Sequence, residues 1–127
     1  MEDRYLFKAK KTDSEEWVVG SLISMPHGGY MIDRVADSRR FRVMINPSTI
    51  CQCTGLRDKN GKLIWENDIV VCRDFTEEKY VIAWKQDEAC FEYQQYGCSI
   101  MNFEQLSGCE VEVIGNIFDN AGLLESE

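Results

Sequence analysis

Apolar and polar positions along this chain follow one another in short runs, and the three-to-four-residue recurrence of an amphipathic helix is nearly absent. The runs are rich in Val, Ile, Tyr, Phe and Trp and are broken by polar turns, the pattern of half-buried strands. It predicts strands at Arg4–Lys10, Trp17–Met25, Tyr30–Val35, Phe41–Asn46, Ile50–Thr54, Ile69–Asp74, Glu78–Trp84, Cys90–Tyr93 and Val111–Phe118. One segment, Asn102–Leu106, reads as a short helix, with an Asn cap and a Glu in its first turn. "MPHGGY", Met25–Tyr30, holds a Pro and two glycines and reads as a mobile loop; "ADSRR", Ala36–Arg40, reads as a second long turn. The closing "LLESE" reads as a frayed acidic tail. The expected fold is all-β, a small barrel with hairpins and at most one short helix. It forms one domain over residues 1–127, in which an N-terminal β subregion over 1–50 could pack on a barrel over 51–119, with 120–127 as the tail.

The stretch "TGLRDKNGKLIWENDIV", Thr54–Val70, crowds carboxylates and a Gly together as a metal loop would. A calcium loop needs oxygen ligands at its first, third and fifth positions before a Gly at the sixth, and here Gly61 follows Asp58 and Asn60 too soon. A hairpin uses the same residues better: Asn60-Gly61 offers two positions able to take φ > 0, as a type I′ turn requires. Leu63 and Trp65 then point one way, with Trp65 expected in the core, and Lys62, Ile64 and Glu66 the other. At "ENDIV" a second corner is expected, with Asn67 left-handed and the Asp68 carboxylate accepting a local backbone N–H. A metal or acid/base site built from Asp58, Glu66 and Asp68 is the lesser alternative.

Charge changes the picture more than composition does. Of the net −8, residues 1–50 carry 8 Lys/Arg against 7 Asp/Glu and residues 51–127 carry 6 against 15, so the acidity lies in the second half. Such a protein repels phosphate backbones at long range, which argues against general nucleic-acid binding. No apolar run approaches the roughly 20 residues that cross a bilayer, and "MEDRYLFKAKK" is too polar for a secretory signal, so no membrane partner and a cytoplasmic location are expected. There the six cysteines, Cys51, Cys53, Cys72, Cys90, Cys98 and Cys109, should be thiols; none forms a CxxC pair, and small buried hydrophobes are expected.

The run "INPSTICQCTGLRDKNGKLIWENDIV" resembles the core signature of the YopX family, with matching positions Pro47, Thr49, Gln52, Thr54, Gly55, Leu56, Asp58, Gly61, Trp65, Glu66, Asp68, Ile69 and Val70. "WVVGSLI" at Trp17–Ile23 and "VEVIGNIFDNAGLL" at Val111–Leu124 agree in order and spacing, so the likeness spans nearly the whole chain. Asn67 stands where the family usually has Gly, and Ala121 where Pro is common. The resemblance implies an SH3-like, β-barrel-type architecture encoded by a phage or prophage, and no particular biochemical activity.

Candidate chemistry is sparse. His27 is the one imidazole, in a Gly-rich loop and without a nucleophile elbow or phosphate-cradling motif; no catalytic residue, cofactor or metal is expected. Arg34, Arg39, Arg40 and Arg42, near Phe41 and Tyr30, form the one basic cluster and the best hint of a ligand, such as phosphate or a single strand. "FEYQQYGCSIMNF" concentrates Phe91, Tyr93, Tyr96, Met101 and Phe103, expected mostly in the core with any remainder available for association. The favoured expectation is a non-enzymatic accessory protein that binds a further copy of itself or a host or phage protein. The alternative is nucleic-acid-linked: binding through the Arg34–Arg42 cluster, or acidic mimicry of DNA towards a host protein.

Overall fold

The computed structural model describes residues 3–72, 77–95, 98–102 and 111–125, excepting the side chains of Ala36, 98–102 and Glu125. The chain divides into two compact units, Met1–Gly55 and Leu56–Glu127.

In the first unit a 3-10 turn at Asp3–Tyr5 leads into β1 (Phe7–Lys10), β2 (Trp17–Ser24), β3 (Tyr30–Ala36) and β4 (Arg39–Ile45). A 3-10 turn at Pro47–Thr49 then leads into β5 (Cys51–Arg57). The strands lie antiparallel in the order β4-β3-β2-β1-β5. Alternation sends Ala9, Val18, Ile32 and Ile45 to the inner face, where they form the core with Phe7, Leu22, Tyr30 and Ile50 against it. Gly20 sits on that face because nothing larger fits: a Cβ there would lie 2.4 Å from the backbone oxygen of Asp33.

Three strand spacings separate β1 from β4, about 14 Å in a flat sheet. Yet Asn46 donates its N–H to the Lys10 carbonyl at 2.8 Å and Thr12 donates to Met44 at 3.2 Å, around a single bridge Lys11↔Ile45. The sheet therefore rolls over its core. The pairing stops at that bridge, and among the described residues neither sheet closes into a barrel, so the expected barrel reduces to two antiparallel sheets.

In the second unit the end of β5 turns into β6 (Leu63–Trp65), followed by β7 (Asp68–Val71), β8 (Lys79–Lys85), β9 (Cys90–Gln95), β10 (Cys98–Asn102) and β11 (Glu112–Asn116). The last five form an antiparallel sheet in the order β10-β9-β8-β7-β11. Its core holds Ile64, Val70, Tyr80, Ile82, Tyr93, Val111 and Val113, with Phe91 packed against it and the Tyr80 and Tyr93 rings edge to face. Phe91 and Tyr93 thus share the core face that alternation assigned them.

Several expectations need correction. Asn102 ends strand β10, which the sequence reading did not contain; residues 103–106 of the expected helix lie outside the described set, as do Tyr96, Phe103 and Cys109. The pairing of β10 with β9 is broken by a bulge between Ser99 and Met101, which hides its period from a local reading. The tail carries a one-turn helix, Gly122–Glu125, begun by Leu123 N–H donating to Asn120 and Leu124 N–H to Ala121. Trp65 is buried as expected, but so is Ile64, expected outward, because a three-residue strand between two corners is covered on both sides.

Candidate functional site

The signature turn is a closed piece of backbone chemistry. Gly61 has φ +83°, whereas Asn60 is not among the positive-φ residues, so the turn is not the expected type I′. The cause is Asp58. Its Oδ1 accepts the N–H groups of Asn60 and Lys62, each at 2.9 Å, while Gly61 N–H donates to the Asp58 carbonyl at 3.0 Å. This carboxylate-held loop puts residues 58–61 in a type I turn and leaves only Gly61 left-handed.

The other carboxylate oxygen, Oδ2, accepts Val113 N–H from β11 at 3.0 Å, and Lys59 N–H donates to the Val111 carbonyl at 2.9 Å. One buried side chain therefore shapes the hairpin and fastens it to a strand fifty-five residues away. Burial pushes the Asp58 carboxyl up, but the N–H groups of Val113, Lys62 and Asn60 outweigh it and hold the group below the ordinary carboxylate range. A carboxylate so engaged has little left to offer a proton or a metal.

Asp68 behaves likewise at the next corner, accepting Trp65 N–H at 2.8 Å, and Asn67 adopts φ +74°, both as expected. Asn67 donates its N–H to Ile82 at 2.7 Å and accepts from Ile117 at 3.1 Å, so this corner also joins separate strands. Glu66 is half-buried, Ile69 and Val70 are core, Thr54 is half-buried, and Leu56 is exposed. Gly55 takes φ +85°, with Arg4 against the place a Cβ would occupy. Thr49 is buried, its hydroxyl accepting Lys10 N–H at 2.9 Å and donating to the Asn46 carbonyl at 2.7 Å. Cys51, Cys53 and Cys72 are buried thiols and Cys90 is half-buried. Among the described residues no group of three or more His, Cys, Asp or Glu could hold a metal ion, and His27 lies exposed in the β2–β3 turn.

The four arginines sit on the β3–β4 hairpin, which the register divides in two. Pairs Asp33↔Arg42 and Val35↔Arg40 share the outer face, while Arg34↔Phe41 and Ala36↔Arg39 take the inner parity beyond the core. Asp33 accepts from Arg40 Nη2 at 2.7 Å and from its Nε at 3.1 Å, with Arg42 Nε 4.0 Å away. The Arg40 hydrogen bonds hold the Asp33 carboxyl below its usual range and raise the guanidinium in turn. The hairpin closes through Asp37 (φ 53°) and Ser38 (φ 63°), a two-residue type I′ turn where a longer one was expected.

A search with family models matches the YopX protein family over residues 6–125. The chain belongs to the YopX family. Among solved structures it is similar to the crystal structure of protein EF1440 from Enterococcus faecalis, with a TM-score of 0.56 and 21% identity over 93% of this chain and 96% of that one. That likeness shows the fold. No match was found among curated proteins.

On this YopX-family chain the sequence reading missed the outer face of the first unit. Register places Ile23, Met31 and Met44 in one row across β2, β3 and β4, with Ser21, Asp33 and Arg42 in the next. Met44 is 45% exposed, Val35 72% and Val19 39%, all on this face. At its other side Trp17 lies beneath the Lys8 and Lys10 ammonium groups, 4.7 and 5.4 Å from its ring centroid. The signal was present: Met31 and Val35 flank Asp33 at alternate positions, apolar residues on a face that a charge marks as outward. Among the described residues no helix is long and apolar enough to cross a membrane.

Proposed function

We propose that this chain is a non-enzymatic accessory module, carried by a phage or prophage as the family resemblance implies. It acts in the cytoplasm by binding a protein, either a further copy of itself or a host or phage partner. The observation that carries the reading is the outer face of the first unit, where Val19, Val35 and Met44 stand exposed, with the Asp33↔Arg42 pair between the Val35↔Arg40 and Met31↔Met44 rows. Exposed apolar side chains interleaved with charge on an outward sheet face suit a protein contact. The signature residues support it: Asp58, Asp68 and Thr49 each direct side-chain oxygen to backbone groups of the fold. The nucleic-acid reading has less behind it, because Asp33 lies between Arg40 and Arg42 and Arg34 and Arg39 take the opposite parity. An SH3-like barrel remains the finer architectural proposal, supported by the rolled sheet and the Lys11↔Ile45 bridge.

The test is sedimentation velocity over a concentration series, paired with affinity capture with and without nuclease, on the wild type and on Val35→Glu/Met44→Glu. Association or nuclease-resistant capture that disappears in the variant is expected. Assembly and capture unchanged by the variant, or capture lost with nuclease, would overturn the reading.

A further inference from the structure

We propose that the β4 edge at Arg39–Val43 accepts an extended acidic segment of a partner protein as an added strand. The inference rests on the protein-binding reading above and names the partner's chemistry. β4 is the outermost strand of its sheet, and its two-residue turn fixes which backbone groups face inward. Residues flanking such a turn form a hydrogen-bonded pair, here Ala36↔Arg39, so Arg39, Phe41, Val43 and Ile45 bond to β3. Arg40, Arg42 and Met44 then direct their N–H and C=O groups away from the sheet. Met44 C=O is taken by Thr12 N–H, in agreement with that parity, and the next outward donor, Asn46 N–H, by Lys10. Among the described residues no backbone partner meets Arg40 or Arg42. An open stretch with three donors, the Arg40, Arg42 and Met44 N–H groups, and two acceptors remains, bounded on one side by the turn and on the other by the Lys11↔Ile45 bridge.

The side chains select the occupant. Edge strands carrying charge resist pairing with copies of themselves, and two β4 strands paired about Phe41 would set Arg40 opposite Arg42 twice over. An acidic strand removes that repulsion: carboxylates opposite Arg40 and Arg42 meet guanidinium groups 62% and 53% exposed, only one of which is strongly held by Asp33. The residue between them falls opposite Phe41, 43% exposed, so the preferred segment reads acidic, apolar, acidic. A nucleic-acid strand fits less well, since the open edge presents carbonyl oxygens as well as N–H groups and phosphates complement only the latter.

The probe is a capped peptide of sequence TEVEVET, compared with TKVKVKT, with the acidic peptide N-methylated along its pairing edge, and with oligothymidylate of equal charge. Amide exchange at Arg40 and Arg42 and fluorescence anisotropy are the readouts. The acidic peptide should slow both amides, lose about tenfold or more in affinity in Arg40→Glu/Arg42→Glu, and bind neither when N-methylated nor when lysine-substituted. Unchanged exchange at Arg40 and Arg42, or binding by the N-methylated peptide or the oligonucleotide as tight as that of TEVEVET, would overturn the proposal. The two readings fail separately: the neutral pair Val19→Ser/Val35→Ser, on β2 and β3, should abolish assembly or capture while leaving peptide binding at the edge, and the wild type could assemble yet ignore the peptide.

Discussion

The Asp58 turn and the Arg hairpin are both β-hairpin ends, and they resolve their polar groups in opposite ways. At Asp58 every strong acceptor turns inward, onto Asn60, Lys62 and Val113, and the left-handed position is given to Gly61. At the β3–β4 end the left-handed positions fall on Asp37 and Ser38, residues that pay strain there, and the charges stand in water. The contrast separates a carboxylate that fastens the fold together from charges that stand on its surface. Among the signature residues, Asp58 and Asp68 each tie a corner of the fold through backbone N–H groups.

The largest expected effect breaks the first region. Asp58→Ala strands three backbone N–H groups, one of them buried, and should cost about 3 kcal/mol or more in urea unfolding. Asp58→Asn keeps an acceptor and should recover part of that loss. Next, Gly20→Ala drives a methyl group into the Asp33 backbone and should cost about 2 kcal/mol, whereas Gly61→Ala meets only backbone strain and should cost less.

Titration sharpens the same contrast. The folded Asp58 carboxyl is depressed, so its contribution to stability is present above the unfolded carboxylate range near about pH 4 and is lost as pH falls through the lower folded value. Unfolding followed from pH 6 downward should show an acid-side loss that Asp58→Asn reduces. Asp33 is depressed in the same direction, but it lies at an exposed pair and should leave little trace in stability.

Smaller still are changes at the second hairpin. Ser38→Gly relieves a left-handed serine and should raise stability by about 0.5–1 kcal/mol, read from the thermal midpoint. Arg40→Ala with Arg42→Ala should leave the thermal midpoint almost unchanged while altering partner binding.

Much of this was legible in the sequence where the determinants are local. Asn67 and Asp68 made the corner their short polar side chains predicted, and Trp17–Ser24 and Tyr30–Ala36 followed their alternation closely. The type of the Asp58 turn was not legible, because it is decided by hydrogen bonds within the loop that compete with the Asn-Gly preference, and its docking depends on Val113, far along the chain. Strand β10 escaped for a related reason: its pairing partner and its bulge are properties of β9 as much as of "CSIMN". The outer face was hidden in another way, since cross-strand rows such as Ile23, Met31 and Met44 exist only once the register is known.

Amide hydrogen exchange on the unmodified protein tests the division between the two hairpins most directly. The amides of Asn60, Lys62 and Val113 should exchange only through global unfolding, while those of Arg40 and Arg42 exchange freely at the open edge. Fast exchange at Val113, or protection at Arg40 and Arg42 in the isolated chain, would contradict it.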